Sequence, residues 1–296
     1  FSRSQVRASV EAMTQRIGDE GFAFANITPV PSVDEEARTV DLEFRVQPGR
    51  RVKVRRLRIQ GNNRTTDRVI RREFRQFEGA RYQTSKIQRS KERVNRLGYF
   101  KDVNLETPAV AGSNEQVDLA LNVKERPTGQ FNMGVGYSDV EGAMFTSSVQ
   151  QRNLFGQGQQ ISLQADLGGV NQNLNFSFTE PYFTVNGISA GFDVFYSKRD
   201  TDRLTVTRYT QDNQGAAVRF GFPLTEYWRD TLRLEGERTN TSSGALEADA
   251  YANEFLGVNR HLRLRNVLTY DSRNSTIFPK SGWLNRLTTE AALPAG

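Results

Sequence analysis

From Phe131 the side chains of this chain alternate. Phe131, Met133, Val135 and Tyr137 are apolar, while Gln130, Asn132, Gly134, Gly136 and Ser138 are polar or small. A two-residue period makes a strand with one apolar face and one wet face. The pattern returns down to Ala292, giving nine strand candidates: 130–138, 142–151, 159–167, 172–180, 188–197, 214–222, 231–239, 262–271 and 283–292. Such a face must meet either a second sheet or lipid, and the connections discriminate between the two. Every second connection is short and carries aromatics: Phe155, then Tyr182 and Phe183, then Tyr227 and Trp228, then Phe278 and Trp283. The others are polar and tend to be longer, notably "SKRDTDRLTVTRYTQDN" and "TNTSSGALEADAYANEFLGVNRH". A soluble sandwich has no reason to sort its turns by end. A transmembrane barrel does, because one rim carries tight turns with an aromatic girdle and the other carries exterior loops. The alternation therefore predicts an antiparallel transmembrane β-barrel, with those seven aromatics at the membrane interface. Nine strands alone would leave an edge open to lipid. With Phe1 at its start and a strand-like run to its end, the sequence is expected to be part of a longer one, a barrel truncated after about nine strands.

Bulk properties agree with this reading without deciding it. No run approaches the ~18 apolar residues of a membrane helix, and a mean hydropathy of -0.62 is uninformative for strands in which every second residue is polar. The chain has no cysteine and one histidine, which excludes disulfides and leaves no thiolate or multi-histidine metal site.

The first 126 residues have a different organisation. "VDLEFRV" (40–46) recurs as "VDLALNV" (117–123), and Gly21-Phe22 recurs as Gly98-Tyr99 at the same spacing. A period this long implies two copies of one small domain, the first incomplete. The complete copy reads β-α-α-β-β. A strand, "RVKVRRLRIQGN", slips register at Arg55-Arg56. A helix over "TTDRVIRREFRQF" has a Thr N-cap and an apolar stripe at Val69, Ile70, Phe74 and Phe77. A second helix, "TSKIQRSKERVNRLGYF", is ended by Gly98, and two strands follow, "KDVNLETP" and "QVDLALNVKE". Residues 50–101 hold 18 basic and 4 acidic side chains, a balance that suits solvated helix faces or an anionic partner.

Two long stretches resemble a known family. "IQGNNRTTDRVIRREFRQFEGARYQTSKIQRSKERVNRLGYFKDVNLET" is similar to the last POTRA domain of the BamA-type outer-membrane assembly proteins. "VKERPTGQFNMGVGYSDVEG", "QQRNLFGQGQ", "TEPYFTVNG" and "YDSRNSTIFPKSG" are similar to the start of that family's barrel. The resemblance implies part of a penultimate POTRA domain (1–48), a final POTRA domain (49–126) and the first barrel strands (127–296), with the family's VRGF-type loop motif beyond Gly296. It implies an outer-membrane protein with periplasmic POTRA domains that folds and inserts unfolded outer-membrane proteins. The alternative it implies is a translocation pore of the two-partner-secretion or translocation-assembly type. Strand 130–138 would form one side of a lateral gate, where Gly134 and Gly136 would weaken pairing. Accessory outer-membrane lipoproteins would dock on the final POTRA domain, with Arg71, Arg72, Arg75 and Glu78 as contacts.

No catalytic constellation stands out. His261 reads as a loop or lumen residue, Asp34–Glu36 as a hairpin turn, and Asp271 with Arg273 as a structural pair. The glycines of "GQGQQ" and "GVGYS" precede no helix of phosphate-loop type. The basic block lacks exposed strand aromatics on which bases could stack. The expectation is a non-enzyme without cofactor, nucleic acid or small-molecule substrate, whose partners are acidic protein surfaces, membrane lipid and unfolded barrel precursors.

Overall fold

The computed structural model describes residues 2–201, 209–243, 256–273 and 279–294. They form two compact units, Phe1–Pro127 and Thr128–Gly296. In the first unit, α1 (Arg3–Asp19) leads into β1 (Asn26–Asp34) and β2 (Thr39–Gln47), an antiparallel hairpin. Asp34 closes its turn by accepting the Ala37 N–H at 2.9 Å. The second copy comprises β3 (Lys53–Gln60), α2 (Asp67–Arg71), α3 (Thr84–Leu97), β4 (Phe100–Glu106) and β5 (Gln116–Glu125). Its sheet has the order β3-β5-β4, with β3 parallel and β4 antiparallel to β5. The register slips between Val54 and Leu57, as the Arg55-Arg56 interruption predicts. Gly21 and Gly98, the paired glycines of the repeat, both take the left-handed conformation (φ 99° and 72°) that lets a helix stop and the chain turn into a hairpin.

The core of the second copy is Val54, Val69, Ile70, Phe74, Val94, Leu119 and Leu121 with their neighbours. Phe77 does not belong to it. The helix expected over 65–77 spans only Asp67–Arg71, and Phe77 is 67% exposed. Buried polar groups break the helical period. Gln76 donates from Nε2 to the Arg81 carbonyl (3.0 Å) and accepts the Gln83 N–H (3.0 Å). The Arg75 N–H donates to Ser90 Oγ (2.8 Å), and buried Glu73 pairs with Arg93 (2.8 Å). These bonds draw 73–77 into an irregular path along α3, and the last aromatic is turned outward. Thr66 occupies the N-cap position without a side-chain cap bond. Glu125 of β5 instead accepts the Arg64 and Thr65 N–H groups, at 2.9 and 2.7 Å.

The second unit is a nine-stranded antiparallel meander: β6 (Gly129–Ser138), β7 (Gly142–Leu154), β8 (Gln159–Leu167), β9 (Asn171–Glu180), β10 (Ser189–Asp200), β11 (Tyr209–Pro223), β12 (Trp228–Ser243), β13 (Gly257–Asp271) and β14 (Leu284–Pro294). Every strand expected from the alternation is present, and β10 to β13 run further than expected. Part of the long polar connection after 197 is therefore strand, Ser197–Asp200 of β10 and Tyr209–Asn213 of β11. Turn length does not sort the ends of the sheet, since 139–141 and 168–170, at the polar end, are the tightest connections. What sorts them is the aromatics.

Candidate functional site

Strand register sets the two faces of the sheet, because residues directly opposite each other share a face. One row runs Phe131–Val149–Leu163–Phe176–Val194–Ala216. A second runs Ile161–Phe178–Phe192–Val218–Leu234–Leu264–Ala291. Phe131, Val135, Phe176 and Phe178 thus lie on one apolar face. Much of it is open: Val135 is 83% and Val194 50% exposed. Among the described residues no helix is long and apolar enough to cross a membrane; the strands supply the apolar surface.

The opposite face is polar and divided. Across β6 to β9 it carries uncharged groups such as Asn132, Ser148, Ser162, Gln164 and Asn175. Across β10 to β14 it carries a ladder of ion pairs. Asp193 meets Arg219 (3.0 Å) and Arg233, and Arg233 grips Glu235 with two N–H groups (2.9 and 2.6 Å). Arg263 then bridges Glu235 (2.9 Å), Glu237 (3.1 Å) and Glu290 (3.1 Å), and Arg265 reaches Glu290 at 2.7 Å. Asp193 and Glu235 are buried although they lie on a sheet surface. Each guanidinium fork spans two strands, so five strands are cross-braced by side chains as well as by the backbone ladder. Sequence reading missed this network. Its signal was present as charges on alternate positions (Arg233, Glu235, Glu237; Arg263, Arg265), but only the register shows that they meet. His261 lies on the same face opposite Glu237, and Arg273 pairs with Asp271 at 2.9 Å.

Strand β6 is an edge. It pairs with β7 along its whole length, and among the described residues nothing pairs with its other side. Gln130, Asn132, Gly134, Gly136 and Ser138 alternate with Phe131, Met133, Val135 and Tyr137, all four of them well exposed. The glycines have a local cause. A Cβ on Gly134 would come within 2.8 Å of Thr146 Oγ1, and one on Gly136 within 3.2 Å of Met144 Cε. Cross-strand side chains fill the space that the glycines leave.

The aromatics gather at the end of the sheet where β7, β9, β11 and β13 finish. Phe155, Phe183 and Trp283 are strongly exposed. Trp228 and Tyr227 stack on Tyr270 with ring centroids 5.0 and 6.2 Å apart. Tyr182 is half-buried, and Phe278 lies outside the described residues.

On the second repeat copy, Arg71 and Glu78 are occupied within the domain. Glu78 accepts the Leu57 N–H at 2.7 Å, and Arg71 donates to the Leu57 carbonyl (2.9 Å) and to Glu78 (3.2 Å). Together they imitate a neighbouring strand and blunt the outer edge of β3 at its bulge. The Leu57 N–H, more than the Arg71 charge, holds the Glu78 carboxyl below its usual range against partial burial. Arg72 and Arg75 are half-buried. Nearby, three arginines converge on Asp118 of β5. Arg55 clamps it with two N–H groups (2.7 and 2.6 Å), Arg58 approaches to 2.9 Å and Arg56 to 3.5 Å. The Arg55 hydrogen bonds, opposed by burial and helped by the charges of Arg55 and Arg58, pull the Asp118 carboxyl down to about 2.

A two-faced strand meander with an aromatic rim, following one partial and one complete copy of a β-α-α-β-β repeat, defines an outer-membrane β-barrel protein carrying POTRA domains. Comparison with known proteins agrees. Residues 1–49 and 52–126 match the POTRA family, described as the surface antigen variable number repeat, and residues 153–296 match the Omp85 superfamily domain. The chain belongs to the Omp85 superfamily, and it lies in the outer membrane with its POTRA repeats in the periplasm. Outer membrane protein assembly factor BamA of Neisseria meningitidis serogroup B is 34% identical over 99% of this chain. The crystal structure of BamA from Haemophilus ducreyi lacking POTRA domains 1-3 is similar over 99% of the chain, at 31% identity and a TM-score of 0.72. CdiB from Acinetobacter baumannii, at 12% identity and a TM-score of 0.55, shares the fold. The chain spans 38% of the length of the Neisseria relative and 58% of the Haemophilus chain.

Proposed function

We propose that this chain is the membrane-proximal part of an outer-membrane protein assembly factor that receives unfolded β-barrel proteins in the periplasm and folds them into the bilayer. The observation that carries the reading is β6, the first strand of the sheet, with one apolar face, one polar face and Gly134 and Gly136 on the polar one, whose outer edge becomes available when a barrel seam opens. A membrane strand entering lipid alone leaves N–H and C=O groups bare, at several kcal/mol each. Pairing with an exposed edge removes that cost by β-augmentation. The relatives named as assembly factors support the same reading. In it, 1–48 belong to a penultimate POTRA domain, 49–126 form the final one, and 127–296 begin the barrel. Strand 130–138 is one side of the lateral gate, and Phe155, Tyr182, Phe183, Tyr227, Trp228, Phe278 and Trp283 sit at the membrane interface. The role is non-enzymatic and uses no cofactor, nucleic acid or small-molecule substrate. Its partners are unfolded barrel precursors, membrane lipid and accessory lipoproteins. For the lipoproteins, the basic segment 71–78, with Arg71, Arg72, Arg75, Glu78 and exposed Phe77, is the docking surface.

The test uses the absence of native cysteine in this chain. A cysteine at Met133 is paired with one in the strand that closes the barrel of the full-length protein, giving a reducible lock. Barrel insertion should stop when the lock is oxidised and resume on reduction. Insertion at the normal rate with the seam locked would eliminate edge pairing as the mechanism.

A further inference from the structure

The turn between β6 and β7 is tied to the rest of the sheet by one side chain. The Glu141 carboxylate accepts the Val170 N–H (2.8 Å), the Asn171 N–H (3.1 Å) and the Asn171 side-chain amide, while its backbone carbonyl accepts the Gly169 N–H (2.8 Å). The Glu141 N–H is in turn bonded to Ser138 Oγ at 2.9 Å, at the last residue of β6. Val170 is buried, and its carbonyl accepts the Asp200 N–H at 2.7 Å. The tips of the first three hairpins are therefore linked in series through Glu141 and Val170. Gly168 provides the seat. A Cβ there would fall on the Glu141 carboxylate and come within 3.0 Å of the Asn171 carbonyl oxygen. Burial pushes the Glu141 carboxyl up, but the Val170 and Asn171 donors outweigh it, so the group stays ionised and a strong acceptor.

The other end of β6 has no such tie. Among the described residues Thr128 is bonded to β7, through Arg152 N–H (3.2 Å) and the Gln151 side chain (3.2 Å). There β7 itself carries an irregularity in its pairing with β8, between Gln151 and Leu154.

We infer that Glu141 is a positioning residue that pins the Ser138 end of β6, so that the edge strand pivots at its turn and separates first at its Gln130 end. This rests on the reading of β6 as the working edge, and it adds a direction to the opening. A strand freed from the Gln130 end presents its unpaired groups progressively, beginning at the aromatic rim, to a chain arriving on the POTRA side.

Hydrogen exchange of the full-length protein in lipid nanodiscs tests it. In the wild type, amides of β6 near Tyr137 should exchange more slowly than those near Gln130. Glu141→Gln keeps the side chain's size but removes the charge. It should raise exchange at Val170 and Asn171 about tenfold or more, as expected for a lost charge-assisted hydrogen bond, and flatten the gradient along β6. Gly168→Ala should do the same by evicting the carboxylate without altering it. A wild-type gradient of the opposite sense, or both variants leaving Val170, Asn171 and β6 unchanged, would overturn the inference. The seam lock above reads a different quantity, insertion, so failure of the edge reading and failure of the pin are separately visible.

Discussion

Replacing Asp118 by Asn tests whether three arginines on one carboxylate hold the final POTRA domain together. The carboxyl titrates at about 2, against an ordinary value of 3.8. At ~1.4 kcal/mol per pH unit, that difference corresponds to at most about 2.5 kcal/mol of folding stability. The partners Arg55, Arg56 and Arg58 are 37%, 52% and 49% exposed, and solvent screening brings the share from charge nearer to about 1 kcal/mol. Asn also turns one N–H₂ toward the Arg55 fork, which needs two acceptors. The expected loss is about 1–2 kcal/mol, or roughly 5 °C in melting temperature for a unit of this size. The sign with pH follows from the lowered value. The stabilisation is complete above about pH 4 to 5, and it is lost as pH falls from the unfolded value of 3.8 through about 2. Urea unfolding of the segment 1–127, followed by circular dichroism, should show the wild type ahead of Asp118→Asn at pH 7 and the gap at least halved at pH 2. An equal gap at both pH values would mean that packing, not charge, explains the effect. No gap at pH 7 would refute the argument.

Two further substitutions separate roles that the sequence places side by side. Arginine at Leu163 or Phe176, in the middle of the apolar rows, should cost roughly 2–4 kcal/mol in bilayer refolding, whereas arginine at Gln164 on the polar face should cost far less; equal costs would dispose of the lipid assignment. Glu78→Gln should destabilise the POTRA segment by about 1 kcal/mol through the weakened Leu57 cap, while Arg75→Glu should reduce co-purification of accessory lipoproteins. Undiminished co-purification with Arg75→Glu would remove this surface from the docking site.

The strands were legible because each alternates apolar with polar or small residues along most of its length, a signal that survives local irregularity. The repeat was legible because the same glycine-aromatic step ends α1 and α3. The helix over 65–77 was misread for a physical reason. Ile70, Phe74 and Phe77 have helical spacing, but Glu73 falls within the same stripe and Gln76 borders it beside Val69, and these two polar groups go inside in place of Phe77. A buried glutamine making three hydrogen bonds outweighs a short apolar stripe, and hydropathy alone cannot register it. The same limit applied to Arg71 and Glu78, whose partner is the backbone of Leu57, in a strand distant in sequence.

The ion-pair ladder shows what periodicity can and cannot supply. Alternation tells which residues of a strand share a face, and it placed Arg233, Glu235, Arg263 and Arg265 together on the wet one. It does not tell which residue lies opposite which, and the energy of the ladder depends on that. Shifting β12 by two residues against β13 would keep every side chain on its proper face, yet it would move Arg263 away from Glu235 and break the bridge by which it joins Glu235 and Glu237 to Glu290. Breaking such a pair leaves an uncompensated charge that costs more than the pair contributes, so the ladder fixes register where hydrophobicity cannot. Along strands β6 to β9 the constraint is weaker, since their polar face is made mostly of Ser, Thr, Asn and Gln, and its Asp166 is held by amide hydrogen bonds from Gln164 and Asn173. The sheet thus has a wall with one permitted register beside a region that tolerates rearrangement. The tolerant region includes β6, the strand proposed above to part from its neighbour.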